Sequence, residues 1–422
     1  MSEIYKETLY GLDKNDGIKT WTIWTVDAPE DSAIIVEHGK LGGKMTTQKT
    51  VIKVGKQGRS IPEQAINEAK SKVKKQLDKN YRRTQAELTD LPLLPVLAGD
   101  YRKIGHRVKY ELGVDLSDKF DGVRLLAKCV HDWSIGKRVV QLVSRTGQPY
   151  SIPHIEAELL LIMRPGDVLD GEAYLHGEVL QDITSAVERT DTQAKIDEIQ
   201  RAIAKKGADY RKPSKDSRII NPTLAEELEN AELIKKIRPQ LQFHVFDLPS
   251  DKVWTERLEA LNEYARERFL TIEQRFVLLV KYTRVFSEEE MKYWHKHAVD
   301  RGYEGIMLRN ANGLYESGKR SADLQKYKEF LEAEFQVVDY TVDKDGHIVF
   351  ICCNDLNQRR FNVIFGSAEE KAAMLAMADN FLTEYLKVKF QSRYKKTLLP
   401  QFPTGIMFRK GRVIDGEFVP SE

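Results

Sequence analysis

The chain has 422 residues, of which 41% are hydrophobic and 31% are charged, and this length and composition fit roughly two to four globular domains. It carries 66 basic and 64 acidic residues, so the net charge of +2 excludes binding to a polyanion through overall charge, and a nucleic-acid surface would need local clusters of cations. The sequence has no apolar run of about 18 residues, which excludes a conventional membrane-spanning helix, and residues 1–5 lack the basic and apolar parts of a secretory signal.

Residues 1–90 are predicted to form strands followed by a basic helix. Residues 21–26 and 33–36 are rich in β-branched and aromatic side chains, and a glycine-rich turn is predicted over 38–44. From Pro62 onward apolar residues recur at helical spacing, which predicts a helix. Its cations and those that follow are candidates for phosphate contacts, with a solvated helix as the alternative: Lys70, Lys72, Lys74, Lys75, Arg82 and Arg83.

Pro92 and Pro95 predict a linker before a second segment, residues 91–330. This segment alternates short apolar runs with helical patterns, as a mixed α+β domain does. Within it, residues 188–238 are strongly charged and are predicted to be a solvated helical insertion, with a DNA contact as the alternative.

The last segment, residues 331–422, is predicted to contain several short strands and one helix. Strands are expected near 334–340, 348–351, 361–364 and 386–390, with a hairpin turn at Asp345 and Gly346. This pattern favours a small β-barrel.

The strongest candidate for a catalytic site is the segment KFDGVR, from Lys119 to Arg124, placed where a strand gives way to a turn. A lysine is a nucleophile only as the neutral amine, so it needs desolvation or cationic neighbours. The K-x-D-G-x-R pattern alone is a modest signal, because a surface turn can also produce it. Further motifs follow in chain order: SRTG at 144–147, LDGE at 169–172, FHVFDL at 243–248, EGIMLR at 304–309 and LQKYK at 324–328.

This ordered series resembles the nucleotidyltransferase motifs that DNA ligases, RNA ligases and mRNA capping enzymes share. The segments PVLA at 95–98, RGYEG at 301–305 and YESGKRS at 315–321 are most similar to the compact ATP-dependent DNA ligases of phages, viruses and organelles. The resemblance implies an α+β multidomain protein, with a mixed α/β adenylation domain of antiparallel sheets at 91–330 and an OB-fold barrel at 331–422. Residues 1–90 resemble the WGR module of poly(ADP-ribose) polymerases, which binds DNA ends, although His38 replaces the signature tryptophan.

The same resemblance implies a reaction in three steps. Lys119 attacks the α-phosphorus of ATP to form lysyl-AMP, AMP passes to the 5′-phosphate of a nick, and the 3′-hydroxyl then seals the nick. Phe246 is expected to stack on adenine, or else to be a core residue. Glu172 is expected to accept hydrogen bonds from the ribose, and Lys326 and Lys328 to neutralise the α-phosphate.

The remaining candidates concern the phosphates and the metal ion. Arg124 and Arg145 suit the nick phosphate, because a guanidinium matches phosphate oxygens. Arg409 is the candidate for orienting pyrophosphate, while the role of Lys410 stays open. Glu304 is the candidate ligand for Mg²⁺ or another divalent cation, with an ion pair to Arg309 as the alternative.

The predicted function is therefore ATP-dependent sealing of nicks in duplex DNA by a monomer with no membrane partner. An RNA ligase or capping-type nucleotidyltransferase stays open, as does a non-catalytic nick-binding protein. Ser117 replaces a glutamate that many ligases place near adenine, which leaves the selection of ATP over GTP open. Three cysteines without a zinc motif or disulfide framework favour a reducing compartment. We expect the cytoplasm of a bacterium or a phage-infected host, with nucleus and organelles as open alternatives.

Overall fold

The computed structural model describes residues 3–13, 17–27, 32–56, 58–88, 92–213, 221–269, 273, 275–343, 346–394, 397–414 and 417–420. Their strands form a four-stranded sheet, a six-stranded sheet, two five-stranded sheets and a two-stranded sheet. The predicted boundary at residues 90 and 91 and the predicted turn residue Asp345 lie outside the described residues. Within the described part, no helix is both long and apolar enough to span a membrane.

The N-terminal segment is an antiparallel sheet in the order β1-β2-β3-β4, with one helix packed on it. Its elements are β1 (Glu3–Leu12), β2 (Ile18–Asp27), β3 (Ser32–Lys40), β4 (Met45–Ile52) and α1 (Ile61–Leu77). A capping box between Ser60 and Glu63 starts α1, which buries Ala65, Ala69 and Val73 in the core with the sheet. These strands and this helix confirm the predictions. The predicted turn over 38–44 is too long, because backbone pairing with β2 carries β3 through to residue 40.

Two sheets form the centre of the molecule. Their elements in chain order are β5 (Leu97–Asp100), α2 (Tyr101–Ile104), β6 (Val114–Lys119), β7 (Val123–Asp132), β8 (Lys137–Ser144), β9 (Pro149–Tyr150), α3 (Pro153–Ile162), β10 (Val168–Tyr174), α4 (Leu180–Glu188), α5 (Thr192–Lys206), α6 (Leu224–Ile237), β11 (Gln242–Asp247), α7 (Trp254–Arg268), β12 (Val277–Leu279), β13 (Thr283–Val285), α8 (Glu288–Asp300), β14 (Gly305–Asn310) and β15 (Arg320–Tyr327).

The six-stranded sheet has the order β12-β11-β10-β7-β8-β9, and the five-stranded sheet has the order β13-β6-β14-β15-β5. Most neighbouring strands are antiparallel, as predicted, but β11 with β12 and β15 with β5 are parallel. The mixed α/β prediction is thus confirmed, and the predicted antiparallel pairing holds for every neighbouring pair in these two sheets except those two. The chain passes from β6 in one sheet to β7 in the other through residues 120–122, so the two sheets meet immediately after Lys119.

Two peripheral regions of this part differ in how they pack. Helices α5 and α6 lie within the predicted insertion, and they bury Ile196, Ile199 and Ala231 in a small core of their own. The predicted linker is only partly free of the fold, because Leu94 and Val96 are buried. The backbone N–H of Leu94 also donates to the Ser317 hydroxyl at 2.9 Å.

The C-terminal sheet has the order β18-β17-β16-β19-β20, and all its neighbouring strands are antiparallel. Its predicted strands are confirmed, and a bridge between Ile364 and Thr404 brings the two edges of the sheet together. Phe335, Phe350 and Phe390 lie in its core. The elements of this segment are β16 (Leu331–Val342), β17 (Ile348–Cys353), β18 (Arg360–Val363), α9 (Ala368–Leu375), β19 (Tyr385–Phe390), β20 (Thr404–Arg409), β21 (Gly411–Ile414) and β22 (Glu417–Pro420).

Candidate active site

Lys119 lies at the junction of the two central sheets. It is the last residue of β6 and pairs with Gly305 of β14. A Cβ atom at Gly122 would come within 2.4 Å of the Ala173 carbonyl oxygen, and one at Gly305 within 2.3 Å of the Tyr327 carbonyl oxygen. Gly305 also has a φ of +151°, a conformation that side chains disfavour. The glycines of both motifs are therefore required by close backbone packing around the lysine.

Glu304 lies between two lysine ammonium groups. Lys119 Nζ donates to one carboxylate oxygen and Lys328 Nζ to the other, and the Glu304 side chain is only 7% exposed. Burial alone would raise the pKa of Glu304, but the two ammonium groups hold it below its ordinary value. The alternative ion pair between Glu304 and Arg309 is wrong, because Arg309 pairs with Asp247 at 2.7 Å.

Lys326 and Asp121 complete this charged group. Burial, together with the neighbouring cations Lys328 and Lys119, lowers the pKa of Lys326. The side-chain ammonium of Lys326 donates no hydrogen bond to any residue that the structure describes. Burial, with the negative charge of Glu304, raises the pKa of Asp121. Three cations and two carboxyl groups thus converge here, and the surplus positive charge suits an anionic ligand.

Glu172 and Phe246 come from the six-stranded sheet. Glu172 lies on β10 between Arg124 of β7 and His244 of β11, and Phe246 is two residues further along β11, hence on the same face. Glu172 is half-buried, and desolvation raises its pKa to about 7 although Arg124 and Lys119 act in the opposite direction. The Arg124 guanidinium lies 4.6 Å from the centre of the Phe246 ring.

Arg124 is held by a buried carboxylate that sequence reasoning did not assign. Its Nε donates to Asp170 Oδ1 at 2.7 Å and its Nη2 to Asp170 Oδ2 at 2.6 Å, while the Tyr315 hydroxyl donates to Asp170 Oδ2 at 2.6 Å. Asp170 has no exposed surface, so it needs these donors. The guanidinium predicted to bind a nick phosphate therefore gives two of its five N–H donors to Asp170, and it also packs against the Phe246 ring.

Other residues of the site also escaped prediction. The Tyr282 hydroxyl donates to the Phe246 carbonyl oxygen at 2.7 Å, and burial raises its pKa to about 12. The ring next to the nucleophile candidate, Phe120, contacts three rings at centroid distances of 4.6–5.5 Å: Tyr174, His244 and Tyr303. These residues come from separate strands and loops, so no local pattern indicates that they meet. The FHVFDL motif was the one available signal for His244.

The lysines of α1 mostly point to solvent. Three are exposed and one is half-buried: Lys70, Lys74, Lys75 and, half-buried, Lys72. The helix ends next to Asp78, whose carboxylate accepts a hydrogen bond from Gln148 Nε2 at 3.0 Å. Gln148 belongs to the turn between β8 and β9 that also carries the exposed Arg145. The structure thus places Arg145 near the C-terminal end of the basic helix.

The other predicted arginines donate hydrogen bonds to residues of their own segments of the chain. Arg82 Nη1 donates to the preceding carbonyl oxygen at 2.9 Å, and Arg83 Nε donates to Glu7 at 2.9 Å. Arg409 Nη1 donates to Glu334 at 2.5 Å, within the C-terminal sheet. The structure therefore does not bring Arg409 to the group around Lys119.

The combined arrangement fits a ligand with a flat ring, hydroxyl groups and an anionic end. The Phe246 ring offers a stacking surface, Glu172 offers an acceptor, and Lys326 and Lys328 offer positive charge. Lys119 is placed at the anionic end, where its amine could form a covalent bond.

Comparison with known proteins identifies the family. Residues 95–328 match the family described as "ATP dependent DNA ligase domain". The DNA ligase of African swine fever virus is 28% identical over 349 residues, which cover 78% of this chain and 69% of the viral protein. The DNA ligase of Enterobacteria phage T4 is 25% identical over 265 residues, 60% of this chain and 51% of the phage protein. A solved structure described as "DNA binding with a minimal scaffold: Structure-function analysis of Lig E DNA ligases" has a TM-score of 0.53 at 18% identity, over 76% of this chain and all of that one.

These matches confirm the resemblance to compact viral and phage enzymes and the use of ATP. The matched region contains Lys119, Glu172, Glu304, Lys326 and Lys328. The chain belongs to the ATP-dependent DNA ligase family.

Proposed function

We propose that this enzyme seals nicks in duplex DNA through a lysyl-AMP intermediate on Lys119. The observation that carries the proposal is the position of Lys119 beside Glu304 and Lys328, within the region that matches the ligase family. In the first step a bond forms between Lys119 Nζ and the α-phosphorus of ATP, the bond to the bridging oxygen breaks, and pyrophosphate leaves. AMP then passes to the 5′-phosphate of the nick, and attack by the 3′-hydroxyl expels AMP.

The nucleotide-binding roles follow from the chemistry of each side chain. Phe246 stacks on the base. The Tyr282 hydroxyl donates to the backbone carbonyl oxygen of Phe246 and so helps to hold the residue that carries this ring. Glu172 accepts hydrogen bonds from the ribose. Lys326, whose ammonium donates no hydrogen bond within the described part of the chain, and Lys328 neutralise the α-phosphate as negative charge develops there.

Glu304 controls the nucleophile in this proposal. Its carboxylate now accepts a hydrogen bond from the Lys119 ammonium, and an ammonium has no lone pair for attack. The phosphates of an entering nucleotide compete with Glu304 for the ammonium groups of Lys119 and Lys328, and a bound cation would take up the freed carboxylate. Separation of the Lys119–Glu304 pair, with transfer of one lysine proton to water, is therefore required before the first step.

A divalent cation fits beside Glu304. Burial and the negative charge of Glu304 raise the pKa of Asp121. A bound cation would reduce the repulsion between these two carboxyl groups. Within the described chain no group of three or more His, Cys, Asp or Glu residues could hold a metal by itself. Mg²⁺ commonly takes only one or two carboxylates, with phosphate oxygens and water completing its shell. Glu304, assisted by Asp121, would hold the ion, which would supply charge neutralisation to the phosphates.

We further propose the domain roles that the sequence predicted, with boundaries at 90/91 and 330/331. The bridge between Ile364 and Thr404, which nearly closes the C-terminal sheet, supports an OB-type barrel over 331–422. Arg409 would reach pyrophosphate only if this domain moved relative to Lys119. The enzyme would act as a monomer in the cytoplasm of a bacterium or a phage-infected host.

The nucleic-acid substrate can be tested by comparing three 5′-phosphorylated substrates with ATP and Mg²⁺. We expect efficient sealing of a nick in duplex DNA, and much slower sealing of nicked RNA and of single-stranded RNA. Parallel reactions with GTP and NAD in place of ATP test how strictly the enzyme selects adenine, because Ser117 stands where many ligases have a glutamate. Faster sealing of RNA would favour the RNA-ligase alternative, and binding to nicks without sealing would favour a non-catalytic protein.

The N-terminal segment, residues 1–90, is proposed to bind duplex DNA beside the nick as a WGR-like module. Replacing Lys74 and Lys75 by glutamate should weaken binding of nicked DNA and lower the slope of log affinity against log salt by about 2, because each phosphate contact contributes about 0.9. In the matched control, glutamate replaces Lys49 and Lys53, two exposed lysines of the same segment that lie outside the helix. Equal effects of both pairs, or no change in slope for the helix pair, would refute this surface.

A further inference from the structure

The C-terminal sheet contacts the phosphate-binding group directly. Lys328 Nζ, which donates to Glu304, also donates to the side-chain oxygen of Gln391 at 2.6 Å. Lys328 follows β15 of the central five-stranded sheet, whereas Gln391 follows β19 of the C-terminal sheet. A side chain from the C-terminal segment therefore helps to orient a lysine of the active site.

Strand pairing explains why Gln391 reaches this position. Strand β16 begins at Leu331, only three residues after Lys328, and Leu331 pairs with Phe390 of β19. Gln391 is the first residue after β19, so it lies beside the connection between the two sheets. Its backbone N–H donates to the Gln401 carbonyl oxygen at 3.1 Å, which ties it to the C-terminal sheet.

The connection itself, residues 328–330, is held from both sides. The Phe330 ring lies 4.6 Å from the Arg102 guanidinium, which belongs to α2, and 4.5 Å from Lys389 Nζ, which belongs to β19. Arg102 also donates to the Lys328 carbonyl oxygen. Residues 331–333 already belong to β16, so the connection between the two sheets consists of residues 328–330 alone.

Gln391 is suited to orient a charged lysine because its side-chain amide is a neutral hydrogen-bond acceptor. An amide oxygen satisfies one N–H of the ammonium group without cancelling its charge, so Lys328 keeps the positive charge that a phosphate needs. A carboxylate at this position would compete with the phosphate for Lys328. An apolar side chain would leave a half-buried N–H without its acceptor.

We propose that Gln391 is a positioning residue for the lysine-adenylation step. It orients Lys328, and through Lys328 the carboxylate of Glu304, while the C-terminal sheet lies against the active site. Because Lys328 is assigned to the α-phosphate of ATP, loss of its contact with Gln391 should act on the first step and not on the sealing of a nick that already carries 5′-adenylate. The inference rests on the proposed ligase function and adds a residue from outside the region that matches the family.

The test separates adenylation from the final sealing step in the full-length enzyme. Single-turnover formation of lysyl-AMP is measured across ATP concentrations, and sealing of a nick that already carries 5′-adenylate is measured without ATP. We expect Gln391→Leu to slow adenylation at least about tenfold, as loss of a hydrogen bond to a charged group would, and to change sealing of the adenylylated nick less than about twofold. Gln391→Glu should keep the geometry but raise the ATP concentration needed for half-maximal adenylation.

Gln336→Leu is the matched control, because Gln336 lies on β16 of the same sheet and is also partly buried. It should leave both steps at wild-type rates. Lys389→Met, which loosens the same junction through Phe330, is a second variant that should slow adenylation selectively. If Gln391→Leu slows both steps equally, or neither, the positioning role is wrong. If the wild-type enzyme itself forms no lysyl-AMP, the proposed function fails instead.

Discussion

Replacement of Lys119 by alanine is expected to abolish covalent transfer of AMP to the protein and, with it, ATP-dependent nick sealing. Among the described lysines, only Lys119 and Lys328 donate to Glu304. Lys328 also donates to Gln391, whereas Lys119 does not. The rate of adduct formation should fall by at least about 10³-fold, since a nucleophile is removed rather than misplaced. Incubation with ATP labelled at the α-phosphate, followed by denaturing electrophoresis, measures the adduct.

Two comparisons make this prediction specific. Lys103→Ala, at an exposed lysine of α2, should leave the adduct unchanged. The Lys119→Ala variant should keep measurable sealing of a nick that already carries 5′-adenylate, because that step needs no new lysyl-AMP. A wild-type level of adduct in Lys119→Ala would mean that another side chain is the nucleophile. Peptide mapping of the adduct would then identify that residue.

The position of Lys119 could be predicted from sequence because its determinants are local. Val114 and Leu116 alternate with polar residues before it, as in a strand, and the glycine three residues after the lysine predicts a turn. The same reasoning gave α1, whose apolar residues recur at helical spacing after a capping serine. Where neighbouring residues determine an element, the sequence pattern is sufficient.

The partners of the site residues could not be predicted in this way. Arg124 and Asp170 are 46 positions apart, Asp170 and Tyr315 are 145 apart, and Lys328 and Gln391 are 63 apart. Each pair depends on which strands become neighbours, and strand order has no signature in a local window. Arg124 illustrates the consequence: its guanidinium suits a phosphate by chemistry, but a buried carboxylate on the adjacent strand accepts two of its donors.

Sheet direction was missed for a similar reason. The short strands β5 and β12 join their sheets in parallel with β15 and β11, although alternating patterns favour antiparallel pairing. Direction depends on the route of the chain between the strands, which includes helices and long loops here. The extension of β3 through its glycine has a different cause, since pairing on both sides offsets the low strand preference of glycine.

Substitution of Asp247 by alanine is expected to be among the most destabilising single changes in the central sheets. Asp247 accepts hydrogen bonds from Arg257 Nε at 2.9 Å and from Arg309 Nη1 at 2.7 Å, and all three side chains are buried. Removal of the carboxylate leaves two guanidinium groups without their shared counter-ion. Such uncompensated buried charge typically costs about 3–5 kcal/mol in the free energy of unfolding. Chemical denaturation monitored by the fluorescence of the five tryptophans, which include Trp254 next to Arg309, can measure this loss.

The control is an exposed ion pair of the same type in the same part of the molecule. Lys296 and Asp300 form a contact of 2.6 Å on α8, with side chains 77% and 58% exposed, so Asp300→Ala should change the free energy of unfolding by less than about 1 kcal/mol. Asp247→Leu combined with Arg257→Met and Arg309→Met should recover much of the loss, because it removes the buried charges together. If Asp247→Ala behaves like Asp300→Ala, water must reach both guanidinium groups.

Because Asp247 directly follows Phe246 and Arg309 lies 5.6 Å from the Phe246 ring, the same substitution should also weaken ATP binding, linking the stability of the core to the nucleotide site.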